Sequence, residues 1–535
     1  MKAVLVIITA IAFGISCVTG YYLETDMSYG MMIMFGIGDM CVFVLLYRVF
    51  FRVFHMKKTA CLRGVGGGKT ENCLFNRNTF VKVFAVIFLL WIPLVLIRYP
   101  GIQSGGVSAQ FQQIMGMDTL ARRLSPVIYD GHYISGHHPV LLTFLFGMFI
   151  RIGAEAGNVD IGMFLLNCAV CIFNALGWAY IISSFYQYLN RREWFLLFIC
   201  FSANPLIISL NTYVLKDNLF ATLLSVYCIV IFRICQDGMT KRYKYQMLGI
   251  SILLPFIKNQ GIYIVALVNI ILIFSIRNTI RAWIKNIVFS ILIYGIIFSG
   301  VIMPLMKISP GGKQEMFSLF FQATAKTMLE HSDEIEKEEA EVITKILPIE
   351  DWSVYTPHKS DNIKFQFNQK ATSTDLKDFF IVWIKIGFRH PKSYIKAILA
   401  QTYGYYNIDY ETADWNWNGA EHPFTSNGDM ISAPKWETLN QKITDFLSWC
   451  IHHEHFKYVF NIAVSFWLIA MCCLVYEGEK KNLLWIVPTG VQWLICLLSP
   501  VNGSGRYGMV IYEMAPFIAA YTFSTKTDDL QSKES

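Results

Sequence analysis

The amino-acid sequence predicts an all-α membrane protein: a polytopic bundle of about twelve transmembrane helices with a helical subdomain on its outer side. Three observations predict it. Apolar residues make up 54% of the chain and charged residues only 16%, against roughly 45–50% and about 25% in soluble globular chains. The apolar residues gather in blocks close to the ~20 residues a helix needs to cross a hydrocarbon core. The Lys and Arg residues behind the net charge of +7 sit in short runs between those blocks. Such spacing fits membrane topology rather than the continuous basic face of a nucleic-acid binder. An ordinary soluble multidomain enzyme is excluded by the same composition.

The first apolar block follows Met1 and Lys2, runs to about residue 22, and reads as an uncleaved anchor. Cys17 has Gly14 where a lipoprotein signal carries Leu, so it is not read as a lipidation site. A second block, about 30–54, is followed by Arg48, Arg52, Lys57, Lys58, Arg63, Lys69, Arg77 and Lys82 against the single acid Glu71. The positive-inside rule places that segment, and with it the N-terminus, in the cytoplasm. Further spans are expected at 80–98, 159–185, 194–212, 217–234, 246–258, 261–276, 285–306, 456–476, 482–500 and 507–524. This map puts both termini inside, and it also puts Arg191–Arg192, Arg233 to Lys244, and Arg277 to Lys285 in the cytoplasm. The apolar stretch 139–150 is too short to cross and is expected to be a re-entrant or interfacial helix on the outer face. Lys258-Asn259-Gln260-Gly261 forms a polar break at membrane depth, tolerated only where it faces protein or a water-filled cavity.

The expected organisation is an N-terminal two-helix anchor with a basic linker (1–79), a membrane core (80–306) with a first outer loop (99–158), an extracytoplasmic helical subdomain (307–455), and a C-terminal three-helix membrane segment with a cytoplasmic tail (456–535). Within the subdomain, 330–341 is an acidic helix-like stretch with seven acids and one Lys. A second run, opened by Thr374, Asp375 and Asp378 and stopped before Pro391, carries Phe380, Trp383, Ile384, Gly387 and Phe388 and is expected to lie on the membrane surface. No internal repeat is visible, which weighs against an inverted-repeat transporter.

Several motifs carry little chemistry. Residues 64–70 read Gly-Val-Gly-Gly-Gly-Lys-Thr, but a phosphate loop needs Gly where Arg63 stands, and no strand precedes it. His452, His453, Glu454 and His455 cannot all face one ion from a helix and are read as a polar collar, with no metal site expected. The thirteen cysteines lack paired CxxC arrays, and many, such as Cys168 and Cys228, lie in apolar blocks as small buried side chains. A stronger constellation comes from topology: Asp118, Asp130, His132, His137 and His138 lie in the first outer loop, while Lys216, Asp217, Lys258 and Arg506 fall at the outer ends of different spans. Lys216, Lys258 and Arg506 would suit a phosphate or pyrophosphate. The alternative is that Lys216 pairs with Asp217 and the others snorkel to the interface.

The ordered series Tyr99-Pro100-Gly101, His137-His138-Pro139, Leu215-Lys216-Asp217, Lys258-Asn259-Gln260-Gly261, His390-Pro391 with Tyr394, and Pro500-Val501-Asn502-Gly503 with Arg506-Tyr507 resembles a family of uncharacterised bacterial multi-pass proteins similar to GT-C type glycosyltransferases. The resemblance covers most of the chain from about residue 80. It implies sugar transfer from a polyprenyl-phosphate carrier at the outer face of the cell membrane. The expected partners are thus a lipid-linked sugar donor and membrane lipids, with no nucleic acid. It also implies His137, His138, Lys216, Asp217, Lys258, Arg506 and Tyr507 as substrate-binding residues, and an Asp near position 106, where this chain has Gly105 and Gly106. Glycine can neither take a proton nor hold an acceptor, so Asp118 or Asp130 is expected to substitute as the catalytic base. Tyr403, Tyr405, Tyr406, Tyr410, Trp415 and Trp417 could face a sugar ring or form an interfacial aromatic belt. The alternatives to a transferase are a transporter or flippase of lipid-linked sugars, and a catalytically inactive binder of them. The residues leave the cofactor and any metal requirement of transfer open.

Overall fold

The computed structural model of the chain describes residues 2–25, 27–63, 77–412 and 431–524; among them the regular elements are helical, with three isolated β-bridges and no strand. The α-helices of seven or more residues are α1 (Lys2–Glu24), α2 (Tyr29–Arg63), α3 (Arg77–Ile97), α4 (Gly105–Ile114), α5 (Val140–Glu155), α6 (Val159–Phe185), α7 (Arg191–Ser202), α8 (Pro205–Asn211), α9 (Lys216–Asp237) and α10 (Lys241–Ile257). They continue as α11 (Gly261–Ser275), α12 (Ile280–Ser290, extended by a π-helical segment Ile291–Ile302), α13 (Ser318–His331), α14 (Lys337–Ile346), α15 (Ser373–Arg389), α16 (Pro391–Thr402), α17 (Glu437–His452), α18 (Ile462–Val475), α19 (Val487–Cys496) and α20 (Gly505–Thr522). The glycine-rich run 64–70, Trp415 and Trp417 lie outside the described residues.

Helices occupy all the segments where spans are predicted, but among the described residues six are by themselves long and apolar enough to cross a membrane: α1, α2, α3, α6, α9 and the helix Arg277–Leu305. α7 and α8 pass the same test together, bent by 58°. That bend is written in the sequence: Asn204 accepts from the N–H groups of Leu206 and Ile207, and Pro205 opens α8 without needing a donor. α5 is 16 residues long, about 24 Å at 1.5 Å per residue.

α9 is the hub. Nearly all its side chains are buried, and it packs against α6, α10, α19 and α20. Around it Trp178, Phe185, Phe232, Trp485, Phe517 and Tyr521 fill one aromatic core. Several polar side chains inside the bundle pair with one another: Asn174 accepts from Thr222 at 2.9 Å, Asn211 donates to Glu513 at 2.9 Å, and Asn269 donates to Tyr227 at 2.8 Å. Such pairing is what an apolar surrounding requires of buried polar groups. The hairpin of α1 and α2 docks on α18 through Phe13, Phe43 and Trp467. Gly14 lets the two helices touch, since a Cβ there would lie 2.5 Å from the Gly36 carbonyl oxygen.

The 307–455 segment has its own two small cores, built by α13 to α16 and the turns between them. Two expectations are corrected here. The acidic stretch 330–341 is not one helix: α13 ends at His331, a 3-10 turn covers Ser332–Glu334, and α14 starts afresh at Lys337. The apolar stripe expected on α15 is split. Phe379, Val382 and Ile386 face the subdomain core, with Phe380 and Trp383 packed beside them, while Ile384 and Phe388 point away and are exposed. At 100° per residue, positions 382 and 386 share a face that 384 and 388 do not fully reach.

Candidate functional site

Local pairing sets the site. Residues 102–104 run beside 213–215, with the Val214 N–H donating to Ile102 O at 2.9 Å and the Ser104 N–H to Val214 O at 3.4 Å. This bridge brings the start of α4 to the start of α9, so Gly106 stands beside Lys216. The 134–138 loop is fastened to 307–311 by Gly136 N–H donating to Ser309 O at 2.7 Å, which sets His137 and His138 ahead of α5. Lys258 caps the C-terminal end of α10, and the chain turns at once into α11. Gly261 permits that turn, because a Cβ would lie 2.6 Å from the Leu254 carbonyl carbon and oxygen.

The polar break predicted at 258–261 is satisfied by protein. Asn259 donates to the Gly136 and His137 carbonyls at 2.9 and 3.3 Å and accepts from Tyr294 OH at 2.9 Å; Gln260 donates to Gln492 at 3.1 Å. The loop before Arg506 is held equally closely. Ser360 donates to Pro500 O, Gln401 to Ser499 O, and Asn502 accepts the Gly404 N–H at 2.7 Å. Gly503, at φ +56°, has no room for a Cβ, which would lie 2.4 Å from the Tyr410 ring.

These supports bring together the seven residues that the resemblance implies as substrate-binding. Lys258 Nζ donates to Asp217 Oδ1 at 2.6 Å and lies 4.5 Å from the centre of the Tyr507 ring. Lys216 Nζ lies 3.1 Å from His138 Nδ1; an ammonium has no acceptor, so with Lys216 charged the imidazole nitrogen accepts. Arg506 and Lys216 both act electrostatically on Asp217, and Arg506 lies 5.7 Å from the Tyr507 ring centre. Asp217, Lys258 and His138 are buried, whereas Lys216, Arg506, Tyr507 and Gly106 keep part of their surface accessible. The Lys216–Asp217 pairing considered from sequence is replaced by two longer-range pairs, because neighbouring helical residues diverge by about 100° and cannot share a partner. Nor does Lys258 snorkel: it is 9% exposed.

His137 and His138 meet edge to face at 4.8 Å. Burial pushes the His137 imidazole down to about 4, with the charge of Lys216 adding to that and Glu315 opposing it. His138 is held well below its ordinary range by burial, then by Lys216 and His137. Both rings are therefore neutral at pH 7. Lys216, Lys258 and Arg506 all act on the carboxylate of Asp217; α9, α11 and α20 begin at or within three residues of these four side chains, α5 begins two residues after His138, and α4 begins at Gly105, next to Gly106. Helix N-termini carry partial positive charge, which adds to the three cations around Asp217.

Asp118 and Asp130 stand apart in their contacts. Asp118 is exposed and pairs with Arg122 at 3.0 Å and Arg123 at 3.3 Å; Asp130 is exposed. Besides Asp217, the carboxylates that act on the cluster are Glu315, whose charge is felt by His137 and Lys216, and Asp361, felt by His137. Glu315 accepts from Lys364 at 2.8 Å, and Lys364 also pairs with Asp361 at 2.8 Å. Sequence reading missed Glu315 because nothing local marks one Glu in a long soluble segment. Tyr403 and Tyr405 are neither a lipid-facing belt nor an open sugar platform: both are buried, and Tyr405 OH bonds the 499–504 loop at Ser499 and Val501.

The class these features define is an all-helical protein, with apolar helices that suggest membrane insertion, carrying a partly accessible cationic cluster where five helices begin. The chain belongs to DUF6020, a family of unknown function whose model matches residues 73–535. The α1–α2 hairpin lies outside the matched region. No curated protein and no solved structure matches the chain.

Proposed function

We propose that this cluster binds the phosphate of a polyprenyl-linked sugar at the extracytoplasmic face of a cell membrane, and that the chain is a GT-C-like glycosyltransferase with both termini in the cytoplasm. The observation that carries the reading is the convergence of Lys216, Lys258 and Arg506 around the carboxylate of Asp217, where five helices begin nearby. Arg506 offers a planar fork and Lys216 a point charge to phosphate oxygens. Lys258 and Asp217 set the local field, with Tyr507 stacked against Lys258 and His137 and His138 as neutral hydrogen-bonding groups. Gly106 leaves room over them: a Cβ there would lie 3.4 Å from His138 Cε1 and 3.9 Å from Lys216 Nζ.

In transfer, an acceptor oxygen bonds to the anomeric carbon as that carbon's bond to the phosphate oxygen breaks. The leaving phosphate gains negative charge, which fixed cations stabilise. The acceptor proton needs a carboxylate. Glu315 is the base we place first, with Asp118 and Asp130 as the alternatives drawn from sequence. Gly106 favours a second reading, a binder of lipid-linked sugar that transfers nothing.

The test uses the full chain in lipid nanodiscs with a polyprenyl phosphate and its sugar-linked form. Arg506→Met should weaken binding roughly 10- to 150-fold, the equivalent of about 1.5–3 kcal/mol for a charged hydrogen bond, and Arg506→Lys by less. Glu315→Gln should cut transfer by roughly 10²–10⁴-fold at unchanged donor binding. Unaltered binding in Arg506→Met sinks the phosphate reading. Transfer that survives Glu315→Gln, Asp118→Asn and Asp130→Asn alike removes the proposed bases. Activity that exists only in Gly106→Asp makes the natural chain a binder.

A further inference from the structure

Away from the cationic cluster, the acidic stretch 330–341 holds a second group of chemistry-bearing side chains. α13 ends on His331, the 3-10 turn after it carries Glu334, and His390 stands at the junction of α15 and α16, where Pro391 forces a new helix to begin. His331 Nδ1 lies 2.9 Å from Glu334 Oε1, and His390 Nε2 lies 4.0 Å from Glu334 Oε2. The two imidazoles stack with centres 4.3 Å apart and planes at 24°. One donor atom from each residue falls within 4.8 Å of the other two.

We propose that His331, Glu334 and His390 form a binding site for a divalent transition-metal ion of the zinc type, with one coordination position left to water. Two imidazoles and a carboxylate are a ligand set zinc accepts, and three protein ligands with an open fourth position are a recurrent arrangement for it. Tetrahedral bonds of about 2.0–2.2 Å put donors about 3.3–3.6 Å apart, so the group must contract by roughly an ångström, and the His331 ring must turn out of its stack on His390 to aim its nitrogen at the same point. The movable members can do this: Glu334 is 58% and His331 32% exposed, while His390, at 9%, is the fixed anchor.

The surroundings suit a cation. Arg389, next to His390, is turned to Glu339 and Glu336, and Lys326 is taken by Glu330, which also accepts from Ser393. Neither cation is spent on the cluster, while the stretch around it carries seven acids. A bound ion would tie the end of α13 to the α15–α16 junction, beside the small core formed by Met328, Ile335, Ile386 and Tyr394. It would thus clamp the subdomain whose Ser360 and Gln401 hold the loop before Arg506.

The experiment strips the purified full chain with a chelator and adds zinc alone, then magnesium alone, following heat of binding and the thermal unfolding midpoint. Cobalt in place of zinc reports the ligands by its visible spectrum. One zinc should bind at micromolar concentration or below and raise the midpoint, magnesium should do neither, and cobalt should show no thiolate charge-transfer band. The double variant H331A/H390A should lose at least 100-fold in zinc affinity and all of the midpoint gain. Glu334→Gln, an exposed change that does not threaten folding, should weaken zinc at least about tenfold, and His452→Ala should leave it unchanged. Equal zinc binding by wild type, Glu334→Gln and the double variant, no zinc binding at all, or a cobalt spectrum dominated by thiolate would overturn the site.

Discussion

Replacing Lys258 by Met tests the centre of the cationic cluster, because it removes one half of an ion pair that water barely reaches. The Nζ–Oδ1 separation is 2.6 Å, and the two side chains are 11% and 2% exposed. Breaking a buried pair from one side costs about 3–5 kcal/mol, since the remaining charge keeps its desolvation penalty without its partner. Asp217 also feels Lys216 and Arg506, so the lower end applies, about 3 kcal/mol, or roughly 150-fold in the folded-to-unfolded ratio. Adding Asp217→Asn removes the stranded charge at nearly constant volume and should restore most of the loss. The assay is reversible unfolding in mixed micelles, read for wild type, both single variants and the double variant as a thermodynamic cycle. Lys258→Met within about 0.5 kcal/mol of wild type, or a double variant no more stable than the single, would refute the buried-pair argument.

Three further outcomes are expected. Gly261→Ala should destabilise the chain by about 1–3 kcal/mol in the same assay, because its methyl group would meet the Leu254 backbone at 2.6 Å; an unchanged midpoint would mean that the α10–α11 turn opens without cost. His137 stays neutral in the folded state down to about pH 4, whereas an unfolded His takes up its proton near 6.5. The unfolded chain therefore binds more protons between those values, so stability should fall as pH drops from about 6.5 to 4, and His137→Gln should flatten part of that fall. A pH profile identical in the two proteins would show that His137 titrates freely. For topology, cysteines at Glu155 and Lys370 in a background without native cysteines should react with an impermeant thiol reagent in intact cells, and one at Lys244 should not; labelling at Lys244 would reverse the map.

Much of the architecture follows from local sequence. Hydropathy over windows of about 20 residues marks the apolar helices because membrane burial acts on each segment through its own composition. Asn204-Pro205, Thr372 with Asp375, and Asn190 with Glu193 start helices by bonds that close within four residues. The list of cluster residues was also legible, since ionisable groups near span ends are costly enough to stand out. Their partners were not. Lys216 meets His138 from 78 positions away and Asp217 meets Lys258 from 41, while the adjacent pair Lys216 and Asp217 diverges around α9. Glu315 gave no signal because its approach to His137 depends on how 307–311 fastens onto 134–138. His331 and His390, 59 residues apart by number, meet only because α13 and α16 pack together. Sequence by itself determined which segments are helical and apolar and which charged groups had to be accounted for, because those properties depend on each residue and its near neighbours. Tertiary structure decided which charge faces which, because an ion pair or a ligand set is fixed by the packing of helices distant in the chain, a geometry that no local pattern encodes.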